Sequence, residues 1–73
     1  MFIHYGRNSF VNVKLINWVA FEENGDLRFT LENETYEHTV KKWLAREFLN
    51  TFDAHTNSGL SEEYNDYIES WSD

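Results

Sequence analysis

The chain has 73 residues, no cysteine, 18% aromatic residues and a formal net charge of −7. This length allows one small domain, placed at 1–73, and the lack of cysteine excludes disulfide bonds and thiolate metal sites. The net negative charge argues against direct binding to nucleic-acid phosphates, which requires clustered lysine and arginine.

Residues 1–39 are predicted to form an antiparallel β-meander of three or four strands. After a short strand and a turn, the segment VNVKLINWVAF alternates with the period of two that is typical of a strand. Asn17 interrupts its apolar face, which indicates a bulge or a break. The pair Asn24-Gly25 predicts a tight hairpin turn, because it accepts positive φ angles. LRFTLE and TYEHTV then supply the remaining strands.

From residue 40 the apolar spacing changes to that of a helix. This spacing predicts a core helix over 40–54 that packs on one face of the sheet. Thr39 is its expected N-cap, and Trp43 is expected to lie in the core. The apolar stripe consists of Val40, Trp43, Leu44, Phe48 and Phe52.

The segment SEEYNDYIESWSD predicts a second, acidic helix over 60–72, with Ser61 as its N-cap. Its apolar stripe consists of Tyr64, Tyr67, Ile68 and Trp71. We expect this stripe to dock near Trp18 or beside the cations Lys41, Lys42 and Arg46. Docking would turn outward Glu62, Asp66, Glu69 and Asp73. The predicted fold class is therefore α+β, with a meander and two helices.

The charge is unevenly distributed along the chain. Residues 1–52 hold seven acids and six bases, whereas residues 53–73 hold six acids and no lysine or arginine. Lys42 and Arg46 are four residues apart on the core helix, a like-charge pair that disfavours the helix. An anion should therefore lie nearby, and the chain's own acidic end is a simpler source than an external phosphate or an acidic partner.

No pattern in the sequence points to catalysis or to a cofactor. The three histidines, His4, His38 and His55, are scattered, so a metal site is not expected. There is no nucleophile elbow and no glycine-rich phosphate loop. We therefore predict no enzyme activity and no bound cofactor.

The N-terminus MFIHYGRNSF lacks the basic end and apolar run of a signal peptide. No stretch approaches the roughly 20 apolar residues of a membrane span. We therefore expect a cytoplasmic protein that does not act on membranes.

The segments EENGDLRFTLENETYEH and SEEYNDYIESWSD, in a small acidic chain of this layout, resemble the small inhibitor proteins of phages and mobile elements. These include anti-CRISPR and DNA-mimicking anti-restriction proteins. The resemblance implies occlusion: carboxylates would occupy a basic site that a nuclease or a CRISPR effector reserves for nucleic acid, in the host cytoplasm. Because residues 1–52 are nearly charge-balanced, a local plug fits better than a whole-surface decoy.

Under this hypothesis, acids and exposed tryptophans form the partner-binding surface. Trp18 is either an exposed anchor or is packed under the second helix, and the sequence leaves both open. The candidate residues are Glu22, Glu23, Asp26, Glu62, Glu63, Asp66, Glu69, Asp73, Trp18 and Trp71.

A second hypothesis comes from the segment NVKLINWVAFEENGDLRFTLENETYEHTVKKWLAREFL. It is similar to short bacterial meander-plus-helix proteins that serve as structural or regulatory modules. In that case the second helix completes the core or a homodimer interface, and the acids only keep the protein in solution.

Overall fold

A computed structural model describes residues 2–6 and 8–70. Over these ranges the chain forms a two-stranded sheet, a three-stranded sheet and two α-helices. The strands are β1 (Phe2–Gly6), β2 (Ser9–Asn12), β3 (Ile16–Phe21), β4 (Leu27–Leu31) and β5 (His38–Val40). The helices are α1 (Lys42–Thr56) and α2 (Leu60–Glu69). The predicted α+β class, with a meander and two helices, is confirmed.

The predicted long strand is divided in two by a 3-10 turn at Val13–Leu15. The side chain of Asn12 accepts a hydrogen bond from the backbone N–H of Lys14 at 3.0 Å, and this local bond favours a turn over a continuous strand. Leu15 is consequently 39% exposed rather than part of an apolar face. β1 and β2 form their own hairpin, while β3, β4 and β5 form an antiparallel meander in that order.

Two local predictions within the meander are confirmed. The β3–β4 register shifts between Ile16 and Trp18, which places an irregularity at Asn17. Asn24-Gly25 lies in the connecting turn, and Gly25 has a φ of 94°. A Cβ there would also approach the Lys42 side chain to 3.0 Å, so a close contact adds to the need for glycine.

Helix α1 begins and ends two residues later than predicted. Val40 pairs with Leu27 as the last residue of β5, because its side chain is fully buried against the sheet. Thr39 is therefore a strand residue, and the prediction that it caps the helix is wrong. The cap comes from Asp26, whose Oδ1 accepts the backbone N–H of Lys42 at 2.8 Å.

The core lies between α1 and the two sheets. Phe29 on β4 stacks on Phe48 at a ring-centroid distance of 5.5 Å, and Phe48 stacks on Phe52 at 6.3 Å. The buried apolar residues are Ile3, Val11, Val13, Leu27, Phe29, Val40, Ala45, Phe48, Leu49, Phe52 and Tyr64. Helix α1 supplies four of them and α2 supplies one.

Across the described residues, 2–6 and 8–70, no helix has both the length and the apolar composition needed to cross a membrane.

Candidate functional site: the acidic face of the second helix

The N-terminus of α2 is capped by a carboxylate from the last turn of α1. Asp53 accepts the backbone N–H of Leu60 at 3.0 Å and that of Ser61 at 2.8 Å. It also accepts the hydroxyls of Ser58 and Ser61. The predicted capping by Ser61 is wrong: the N-cap position is Gly59, with a φ of 74°, and Ser61 is the second helical residue.

Desolvation raises the pKa of Asp53, but its hydrogen bonds outweigh this effect. The donors are the Ser58 and Ser61 hydroxyls and the two backbone N–H groups, which favour the charged form. The pKa therefore lies below its ordinary value of 3.8. Asp53 is a charged cap for α2 at neutral pH, and its charge does not point outward to a partner.

Two tyrosines fix α2 to the turn between β3 and β4. Tyr64 is buried, and its hydroxyl donates to the carbonyl of Gly25. The hydroxyl of Tyr67 donates to the carbonyl of Glu22 at 3.1 Å. The ring of Phe21 contacts both, with centroid distances of 5.4 Å to Tyr64 and 5.5 Å to Tyr67. These contacts place α2 against the turn, and the predicted docking on the domain is confirmed for Tyr64, Tyr67 and Ile68.

The acids of α2 lie on the side that faces away from these contacts. Glu62, Asp66 and Glu69 are all exposed, at intervals of four and three residues. At 100° per residue they span about 60° of the helix surface, roughly opposite Tyr64 and Ile68. Glu63 is exposed beside them. We call Glu62, Glu63, Asp66 and Glu69 the acidic face. The outward orientation predicted for Glu62, Asp66 and Glu69 is confirmed, while Asp73 lies outside the described residues.

The acids of the β3–β4 turn do not join this surface as a group. Asp26 is only 9% exposed, and it holds the N-terminus of α1 as well as Lys41 Nζ at 3.9 Å. Glu22 forms an ion pair with Arg28. Glu23 is exposed. Of the three predicted turn acids, Asp26 is thus a structural residue, and Glu23 offers the most accessible charge.

This turn supplies an anion to Lys41, the residue before α1 and one of the three cations near which an anion was expected. Lys41 faces Asp26, whereas the expectation favoured the acidic end of the chain. The turn is closer because the pairing of β5 with β4 carries residue 41 back beside it.

Of the two tryptophans that the structure describes, Trp43 differs from its prediction. Trp43 is 78% exposed, so its expected place in the core is wrong. The buried stripe of α1 begins at Ala45, and at 100° per residue Trp43 lies on the far side of the helix from it. Trp18 is 41% exposed, and it pairs with Thr30 in the sheet. Trp71 lies outside the described residues.

The histidines do not form a metal centre. In the part of the chain that the structure describes, no group of three or more potential ligands could hold a metal ion. His38 Nε2 lies 2.7 Å from Glu34 Oε1, and Nδ1 lies 3.3 Å from the hydroxyl of Tyr5. Two hydrogen bonds lower the pKa of Glu34, the larger effect coming from His38 and the smaller from Tyr36. The hydrogen bond between Tyr36 and Glu34 also raises the pKa of Tyr36. Glu37, which neighbours His38 in sequence, instead pairs with Arg28 at 3.0 Å.

Sequence reasoning missed Asp53, although one signal was present. An acid in the last turn of a helix is disfavoured by the helix dipole, so Asp53 needed a compensating role. The following Asn57-Ser58-Gly59 then places the start of α2 within reach of its carboxylate.

Comparison with family models, with curated proteins and with solved structures found no match to this chain. The function proposed below therefore rests on the geometry of the chain's own residues.

Proposed function

We propose that this protein is a non-enzymatic inhibitor that occludes a basic nucleic-acid-binding site on a nuclease or a defence complex such as a CRISPR effector. The observation that carries the proposal is the acidic face: four exposed carboxylates on a helix whose other side is fixed to the domain. The inhibitor would act in the cytoplasm, without a cofactor and without binding nucleic acid itself.

Self-repulsion within α2 supports a role for these charges. Asp66 is a like-charge neighbour of Glu62, Glu63 and Glu69, and each such pair destabilises a helix by roughly 0.2–0.5 kcal/mol. The ten residues Leu60–Glu69 contain no lysine or arginine to offset them. Asp53 and the two tyrosines stabilise the helix instead, which leaves its outward carboxylates available to a cationic partner.

The density of charge on the acidic face is close to that of one nucleic-acid strand. Residues 62 and 69 are about 10 Å apart along the axis at 1.5 Å per residue, so four carboxylates give about one charge per 3.5 Å. One strand of duplex DNA carries one phosphate per roughly 3.4 Å of axis. The face is long enough to fill a few phosphate positions, which corresponds to a local plug of a basic cleft.

A plug of this kind gains from electrostatic steering and from a desolvated anchor. Segregated negative charge accelerates association with a basic cleft and makes it sensitive to salt. The proposed plug is the acidic face alone, and Glu23 of the β3–β4 turn lies outside it. Trp18 is an exposed aromatic that would supply the anchor. Trp71 remains a candidate for the same role.

The test is capture from a bacterial lysate with two matched triple variants. E62Q/D66N/E69Q removes three charges from the acidic face, and E23Q/E32Q/E47Q removes three exposed charges elsewhere. Exposed ion pairs contribute roughly 0.2–1 kcal/mol each, so the first variant should weaken binding about 3- to 150-fold. The second should bind like the wild type, and added DNA or RNA should release the captured protein.

Equal binding by both triple variants and the wild type would reject the occlusion hypothesis. Equal weakening by both would show that the partner senses net charge and not the acidic face. Captured proteins that do not bind nucleic acid would reject the proposed class of partner.

A structural or regulatory module is the second candidate, and one observation favours it. Strand β3 is an edge of the three-stranded sheet, carries no charged residue and presents the exposed Trp18. Uncharged edge strands favour pairing with another chain. This candidate predicts a homodimer that Trp18→Ser dissociates, measured by sedimentation, with no change in the E62Q/D66N/E69Q variant.

A further inference from the structure

Strand β1 has an outer edge on the side away from β2. In the part of the chain that the structure describes, β1 pairs with β2 alone, so this outer edge faces no strand. An outer edge presents backbone N–H and C=O groups with which another strand can pair. The strand FIHYG contains no acid, lysine, arginine or proline, the residues that commonly protect an edge from such pairing.

Two cavities lie one after the other between this edge and helix α1. The smaller, of about 180 Å³, lies beside residues 2–4 of β1. The larger, of about 440 Å³, lies beside residues 4–6. None of the described residues that line them belongs to β2, so both cavities lie at the outer edge. We call the two cavities together the β1–α1 groove.

The groove has the length of a short extended peptide. Thr51 lines the smaller cavity and Lys41 lines the larger, so β1 and α1 run past each other in opposite directions. Five strand residues cover about 13 Å and positions 41–51 of a helix about 15 Å, enough for about four or five extended residues. The cavities are centred about two residues apart along β1, the interval at which side chains of a strand point to the same side.

The larger cavity has aromatic walls. Tyr5 lies edge-on to the core residue Phe29 at a centroid distance of 5.1 Å, so the fold fixes its position. Leu44 is half-buried, and Trp43 has 78% of its surface exposed. A tryptophan at the wall of a cavity is typical of binding hot spots, because a partner can bury a large area against it. This cavity therefore suits a large apolar side chain.

We propose that the β1–α1 groove binds an extended peptide segment of a partner protein, which adds to β1 as a further strand. A large apolar side chain of the segment would occupy the larger cavity beside Trp43. The side chain two positions away would face the smaller cavity. Main-chain hydrogen bonds to β1 would supply affinity, and the two cavities would select the side chains.

The charge of the chain favours an uncharged segment with basic flanks. The net charge of −7 repels an acidic peptide, a nucleic-acid strand and a second copy of this chain alike. A second copy also carries its own α1 along the outer edge of its β1, so that strand is less accessible than an isolated segment. No residue of the acidic face lines the groove, so the inference does not rest on the proposed function.

The probe is a fluorescein-labelled peptide, Lys-Thr-Val-Thr-Leu-Thr-Val-Thr-Lys, measured by fluorescence anisotropy on the full chain. It reads the same in both directions, so it suits parallel and antiparallel pairing. Trp43→Ala should weaken its binding at least about fivefold, because a wall of the larger cavity is lost. Tyr36→Ala is the matched control, since it removes an exposed aromatic outside the groove, and it should bind like the wild type.

Strand addition is tested by N-methylation of the peptide. One version carries N-methyl groups on its threonines, and the other carries them on its leucine and valines. Alternate N–H groups of a strand point to opposite edges, so only one version loses its hydrogen bonds to β1. That version should bind at least about tenfold more weakly, and the other should bind like the unmodified peptide.

Other results would overturn the proposal. These are no binding of the peptide, equal effects of the two N-methylated versions, equal binding with serine in place of leucine, or equal weakening by Tyr36→Ala. Tighter binding of the peptide with glutamate in place of lysine would contradict the choice of a basic segment. Tighter binding of a thymidine oligonucleotide would assign the groove to nucleic acid. A dimer that Trp43→Ala dissociates would assign it to a second copy.

Discussion

The two helices of this protein are anchored in opposite ways. Helix α1 buries Ala45, Phe48, Leu49 and Phe52 in the core, and its exposed surface carries Lys42 and Arg46, two of the chain's six lysines and arginines. Helix α2 buries only Tyr64, and its exposed surface carries four acids and no base. In both helices an aspartate from outside the helix accepts an N-terminal backbone N–H, Asp26 for α1 and Asp53 for α2.

This difference shows how a small domain can present a charged surface. A helix held by apolar burial contributes to the core, so changes to it affect the whole fold. Helix α2 is held by a cap, by two tyrosines and by the half-buried Leu60 and Ile68, so it uses less of its surface for packing than α1 does. The rest of α2 is therefore available for carboxylates, and their removal should affect binding more than folding.

The largest expected change in stability comes from a substitution in the buried side of α1. Phe48→Ala should destabilise the fold by about 3–5 kcal/mol, because it removes a buried ring that stacks on Phe29 and Phe52. That is comparable to the whole stability expected of a core this small. Ile68→Ala on α2, a half-buried position, should cost only about 1–2 kcal/mol. Urea unfolding followed by circular dichroism measures both, and equal losses would refute the proposed division between the helices.

The next effect concerns the cap that starts α2. Asp53→Ala removes the acceptor of two backbone N–H groups and should destabilise the protein by about 1–2 kcal/mol, or about 5–15 °C in Tm. Asp66→Ala is the matched control, since it makes the same change at an exposed position of α2. Thermal unfolding should show little change for the control, and an equal loss would argue against the cap.

The contribution of Asp53 should also depend on pH in a defined direction. Its pKa is lowered in the folded state, so the folded protein holds the charged form more strongly than the unfolded chain does. The stability difference between wild type and Asp53→Ala should be complete above about pH 5. It should shrink as the pH falls through 3.8, the ordinary value, towards the lower folded value. A difference that grows on acidification would contradict this assignment.

The smallest expected effect is that of E62Q/D66N/E69Q on stability. The change relieves three like-charge pairs but removes Glu62 from the first turn, where the helix dipole favours an anion. These effects oppose each other, so the free energy of unfolding should change by less than about 0.5 kcal/mol. Chemical denaturation of this variant beside E23Q/E32Q/E47Q checks it, and a loss above about 2 kcal/mol would mean that the acidic face is structural.

Local patterns in the sequence predicted much of this fold. The Asn24-Gly25 turn, the irregularity at Asn17 and the apolar stripe of α2 all follow from spacing within a few residues. The first residue of α1 and its buried face were harder to predict, because Val40 fits both the helical spacing and the strand that pairs with β4. Trp43 was misplaced for the same reason.

The two aspartate caps could not be read from nearby residues. Asp26 is 16 positions from the Lys42 N–H that it accepts, and Asp53 is seven positions from that of Leu60. Propensity scales consider each helix with its own flanking residues, so they assigned the caps to Thr39 and Ser61. Because Asp26 accepts the N–H of Lys42, its carboxylate is not available to a partner. Because Asp53 caps α2, the other acids of that helix remain exposed.

The most direct test of the central claim is the salt dependence of affinity for the captured basic partner. Wild type, E62Q/D66N/E69Q and E23Q/E32Q/E47Q would be compared between about 50 mM and 200 mM salt, the range over which phosphate-type contacts weaken strongly. Wild type and E23Q/E32Q/E47Q should lose affinity steeply, whereas E62Q/D66N/E69Q should bind weakly at low salt and lose little more. An E62Q/D66N/E69Q variant that retains both the wild-type affinity and the wild-type salt dependence would contradict the account.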